Sequence, residues 1–142
     1  MAEILSTRPP DWMVPFLRIA AFAGETAAGG GGRLAADEAP PRRVLVDLLD
    51  PPHGGDPSER LVLLRWRTYG YRYVPPSYAG RLVIRGGIDG SCEVTLEGSY
   101  ALPDTAEGED DAHAAAVATS VMVTTFLRSL REAAEEQART GV

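Results

Sequence analysis

Apolar positions recur with a helical period from Asp110 to Gln137, and the rest of the chain organises around that stretch. At 100° per residue, Ala112, Ala115, Ala116, Thr119, Met122, Val123, Phe126, Leu127, Leu130, Ala133 and Ala134 share one face. Arg128, Arg131, Glu132, Glu135 and Glu136 lie outside it. The pattern predicts a long amphipathic helix over 112–138. The β-branched run from Val117 to Thr125 weighs towards a strand. Strong helix formers on both sides, and a 3.6-residue stripe through Phe126, Leu130 and Ala134, outweigh it. Glu107, Glu109, Asp110 and Asp111 place negative charge at the positive end of the helix dipole, and Gly141 supplies a stop.

Upstream, the period changes to two. Val44–Leu49 is apolar and ends at a run of Pro, Gly and Asp over 50–57. Leu61–Tyr69 sets Val62, Leu64, Trp66 and Thr68 against Leu63, Arg65, Arg67 and Tyr69. Residues 71–76 read as a loop, and 81–85 alternate again. Beyond the turn at 86–90, Cys92, Val94, Leu96, Gly98 and Tyr100 oppose Glu93, Thr95, Glu97 and Ser99. The polar side of that hairpin needs water, so its apolar side, Cys92 included, should cover the long helix. Before these strands, 12–22 reads as a helix whose regular part begins at Pro15 and which Gly24 ends. Trp12, Phe16, Ile19 and Phe22 form its expected core face. Met1–Thr7 is a possible first strand. The expected class is α+β: a curved antiparallel sheet wrapped around a long helix, with a short helix before it.

Composition narrows the setting. At 142 residues the chain reads as one domain over 1–142, able to bury roughly 68% of its unfolded surface. Within it, 25–42 is a flexible Gly/Ala/Pro-rich segment and 103–111 an acidic linker. A net charge of −6 argues against a nucleic-acid partner. All fourteen basic residues are Arg, which with the abundance of Ala, Gly and Pro points to GC-rich codons and not to a function. The single Cys92 allows no internal disulfide, and no apolar run has the length of a membrane span or the layout of a signal peptide. A cytoplasmic protein without membrane insertion is the expectation.

Candidate chemistry is sparse. Gly29–Gly32 lacks the Gly-Lys-Ser/Thr ending of a phosphate loop and no strand precedes it, so it reads as linker. His53 and His113 are the only histidines, and neither has a second ligand at metal spacing; no metal or cofactor is expected. The acidic cluster at 104–111 lacks the alternating ligand positions of a calcium loop. Arg65, Arg67, Arg81 and Arg85 could gather an anion on the outer sheet face, but pairing with Glu93 and Glu97 across strands is the better expectation.

The residues Leu61–Gly70, Glu93–Pro103 and the helix Val117–Leu130 with its Phe126-Leu127 pair resemble the START-related (SRPBCC) helix-grip superfamily. That group includes polyketide cyclases, lipid-transfer proteins and the birch-pollen-allergen type, and the likeness is to its small actinobacterial-type members. It covers roughly the last 85 residues, and none of its motifs is a catalytic signature. The resemblance implies binding, transport or sensing of a hydrophobic small molecule, lipid or polyketide-like, between sheet and helix. Trp66, Thr68, Leu96, Tyr100, Met122, Phe126 and Leu130 would line that cavity. The alternatives are a scaffold or interaction domain with a filled core, and a cyclase-type enzyme using His113 as its base; the inward positions are almost all apolar, which counts against the enzyme. Val117 and Val121, with Ala114 and Ala118 beside them, leave an apolar back face on the helix. A homodimer contact covers it in one reading, the 25–39 segment in the other.

Overall fold

In a computed structural model the chain is described over residues 13–28, 42–49, 59–102 and 107–140. The possible strand at 1–7, Trp12, the glycine run and His53 lie outside these residues. Six elements follow one another: α1 (Met13–Ala27), β1 (Arg43–Leu49), β2 (Glu59–Tyr69), β3 (Ser77–Gly86), β4 (Cys92–Tyr100) and α2 (Gly108–Thr140). The strands form an open antiparallel sheet in sequence order, β1-β2-β3-β4. This is the α+β, helix-grip-like arrangement that the pattern predicts.

Register explains how the sheet sorts its side chains. Val46 pairs with Trp66, Trp66 with Tyr78, and Tyr78 with Tyr100. Two residues along, Leu48, Leu64, Gly80 and Gly98 align, followed by Val62, Leu82 and Leu96. This face packs into the core together with Met13, Leu17, Met122, Phe126 and Leu130. On the outer face Arg65 meets Asp47 at 3.1 Å, Arg81 meets Glu97 at 2.9 Å, and Arg85 lies 2.9 Å from Glu59 and 3.9 Å from Glu93. Arg65, Arg81 and Arg85 are therefore matched by carboxylates on neighbouring strands, Arg65 by Asp47 and not by Glu93 or Glu97.

The long helix holds despite its β-branched run: Thr119 and Met122 are buried on its packed face, and the Thr119 hydroxyl is satisfied by the Ala115 carbonyl at 2.8 Å. It begins earlier than expected. Residues 108–111 belong to its first turn, and the Asp111 carboxylate accepts the Glu107 backbone N–H at 2.8 Å. The buried stripe also turns further round, to Ala114 and Ala118, while Ala116 is exposed.

The reason lies in α1, where the expected core face is wrong. Ile19 and Phe22 are 64% and 59% exposed and Phe16 is exposed too, whereas Met13, Leu17, Ala20, Ala21 and Gly24 are buried. Both sides of this helix are apolar, so hydrophobicity could not choose between them. Close approach did: small side chains let α1 lie directly on α2. A Cβ at Gly24 would stand 3.0 Å from both the Cα and the carbonyl oxygen of Ala118. Gly24 is thus a contact point and not a stop. The helix also starts before Pro15 and runs on to Ala27, so residues 25–27 are not flexible linker.

Two smaller corrections concern the hairpin. Strand β3 starts at Ser77, which adds Tyr78 and Gly80 to the inner face. Cys92 is exposed, because it pairs with Gly86 at the turn end of the sheet, beyond the helices' cover. Val94 and Leu96 on the same strand are half-buried against the core.

Candidate functional site

The residues expected to line an internal cavity divide into two groups. Trp66, Met122, Phe126 and Leu130 are almost wholly buried. The Trp66 ring stacks on Tyr78 with centroids 4.2 Å apart and planes 12° from parallel, and Phe126 tilts against it at 6.0 Å. Such separations are those of packed aromatic pairs. Thr68 is buried as well, and its hydroxyl donates to the Pro75 carbonyl at 2.5 Å, so its polar group is satisfied by the loop that follows β2. Leu96 and Tyr100, on the edge strand, do not join this cluster as fully; Tyr100 is 36% exposed.

Tyr78 is the central residue that the sequence pattern missed. Its ring lies across Gly80 and Gly98, whose added Cβ atoms would meet it at 2.7 and 2.6 Å. Burial pushes its phenol above the ordinary tyrosine value.

One concave surface among the described residues lies beside α1. A cleft of about 460 Å³ is walled by Pro15, Arg18, Ile19, Phe22, Arg42 and Tyr71. Helix α1 supplies four of these residues from the side it turns away from α2. Arg42 stands just before β1 and Tyr71 just beyond the end of β2. The strand pairing Arg43↔Tyr69 explains why those two lie together. The Arg42 guanidinium lies 5.5 Å from the Phe22 ring centroid and 5.4 Å from that of Tyr71. Its Nε is buried and meets no hydrogen-bond acceptor among the described residues.

Arg18 stands near Tyr71 in the wall of the cleft. Burial pushes the Tyr71 phenol up; the charges of Arg18 and Arg42 oppose that shift without cancelling it, and Glu25 adds to it. Glu25 is itself buried and accepts the Arg72 backbone N–H at 3.1 Å. The cleft is therefore an aromatic and aliphatic pocket bearing two guanidiniums, with one carboxylate behind it. No periodic signal in the sequence links positions 18, 42 and 71.

A second depression of about 350 Å³ runs along β1 past Val14, Leu45 and Arg67. His113 is exposed on the first turns of α2. Among the described residues no three His, Cys, Asp or Glu side chains gather as a metal site, and no helix is long and apolar enough to cross a membrane. On the back of α2, Ala114 and Ala118 are buried where α1 lies, and Val117 and Val121 are half-buried.

No family model, curated protein or solved structure matches this chain.

Proposed function

We propose that the chain is a non-catalytic binding domain that takes a hydrophobic small molecule at the α1 cleft and not between sheet and α2. The observation that carries this reading is the contrast between the two places. The side chains first expected to hold a ligand inside, Trp66, Met122, Phe126 and Leu130, are buried in the core, and the Trp66 ring packs against Tyr78 and Phe126. The cleft at Phe22 and Tyr71 is open, is walled mainly by apolar groups, and has a volume within the usual range for ligand sites. The buried aromatic cluster agrees equally with an interaction domain. The exposed Ile19 and Phe22 favour that second reading if their occupant is a protein side chain.

Backbone amide shifts on titration with 2-naphthylacetamide, a neutral aromatic probe, test the first reading. Saturable changes confined to residues 15–22, 42 and 71 are expected. Changes centred on Trp66 and Phe126 would return the ligand to the interior, and no saturable change anywhere would leave the interaction domain as the better reading.

A further inference from the structure

We propose that the α1 cleft is specific for an organic carboxylate with an apolar, preferably aromatic, body. This rests on the reading of the cleft as a binding site and adds the charge of its occupant. The first argument is the state of Arg42. An arginine N–H that is buried without an acceptor costs free energy, and an ionised acceptor relieves that cost best. The Nε of Arg42 is such a group, and its guanidinium stands in the wall of the cleft. A carboxylate entering beside it supplies the acceptor that the described chain does not.

The second argument is the pairing of polar and apolar walls. Arg42 rests against Phe22 and Tyr71, so its plane is held by rings on elements that are far apart in sequence. Arg18 stands in the same wall, near enough to Tyr71 for its charge to act on the phenol. The guanidinium of Arg42, held by its two rings, loses little rotamer freedom on binding, which is what a carboxylate site requires. Pro15, Ile19 and Phe22 then receive the apolar body.

Charge balance selects the kind of anion. Arg18 and Arg42 bring two positive charges, and Glu25 near Tyr71 brings one negative. One net positive charge suits a monoanion. A phosphate dianion would leave its second charge without a match in this balance.

The test compares 2-naphthylacetate with 2-naphthylacetamide, which share a body and differ in charge, by calorimetry and amide shifts on the full chain. The carboxylate is expected to bind about tenfold more tightly, the worth of one charge-assisted hydrogen bond, and to weaken as salt is raised. Arg42→Gln should bring the two probes to equal affinity, whereas Arg81→Gln on the outer sheet face should change neither. If Arg42→Gln fails to fold, judged by its melting temperature and Trp66 emission, Arg18→Gln carries the same test. Equal binding of both probes at the cleft overturns the carboxylate specificity and leaves the cleft as a binding site. Binding of neither probe there overturns both.

Discussion

Tyr78 occupies the space that a side chain on Gly98 would need: a Cβ at that position would lie 2.6 Å from the Tyr78 hydroxyl oxygen and 2.6 Å from the Ala79 carbonyl oxygen. The two glycines at 80 and 98 form a cross-strand pair that lowers the sheet surface beneath the phenol. The ring can therefore lie flat enough to stack on Trp66.

Gly98→Ala should displace the ring or part the strands. We expect a loss of about 1–3 kcal/mol, as for other overpacked sites, together with a change in Trp66 emission. Gly86→Ala is the control, because nothing lies within 4 Å of an added Cβ there. Urea midpoints at constant slope measure both. Equal midpoints for the two variants would show that the slot is not filled in this way.

At Gly24 two effects of opposite sign meet. Alanine gains about 1 kcal/mol of helix propensity over glycine, but its Cβ would press on the Ala118 backbone at 3.0 Å. Gly24→Ala should therefore be close to neutral. Gly24→Val has no such compensation and should cost about 1–3 kcal/mol by forcing the helices apart. A valine variant as stable as the parent would mean that α1 does not dock where described.

How far the sequence could be read depends on how many solutions each pattern allows. In β2 an apolar and a charged face alternate, so a slip of one residue would bury Arg65 and Arg67; one register survives, and it is the observed one. In α1 both faces are apolar, and the choice between Phe22 and Ala21 was made by the small residues of α2, a partner distant in sequence. Tyr78 stayed hidden because Gly80 interrupts the apolar alternation and Pro75-Pro76 lies directly before the strand. The cleft was not legible at all. Arg18, Arg42 and Tyr71 share no element, and only the docking of α1 beside the β1–β2 pair assembles them.

The ion pairs on the outer face should contribute little. Arg81 and Glu97 meet at 2.9 Å, yet each side chain is more than half exposed. Water and salt screen such a pair, and a double-mutant cycle should return a coupling below about 1 kcal/mol. The coupling should fall further in high salt. A larger, salt-independent value would contradict a solvated pair.

Tyrosine ionisation offers a test in pH. Burial raises the phenols of both Tyr71 and Tyr78 above the ordinary value near ~10. A folded pKa above the unfolded one means that the associated stability is fully present below the unfolded value. It is lost as pH climbs through the folded one. Alkaline titration of tyrosinate absorbance should show a late component, and denaturation midpoints should decline over the same range. Tyr78→Phe should remove part of both effects; an unchanged late component would place Tyr78 in contact with water.

The order of the strands sets a timetable for folding. Each strand of the sheet pairs with its neighbour in sequence, so the meander can assemble by closing short loops. The contact between Gly24 and Ala118 must instead bring together helices that flank all four strands. Contacts across so long a stretch form late unless they belong to the nucleus. Substitutions there should leave the refolding rate nearly unchanged and act on the unfolding limb of the chevron. The lifetime of the native state, as distinct from its speed of formation, is then governed by the seam between the two helices, and a protease would gain entry by parting them.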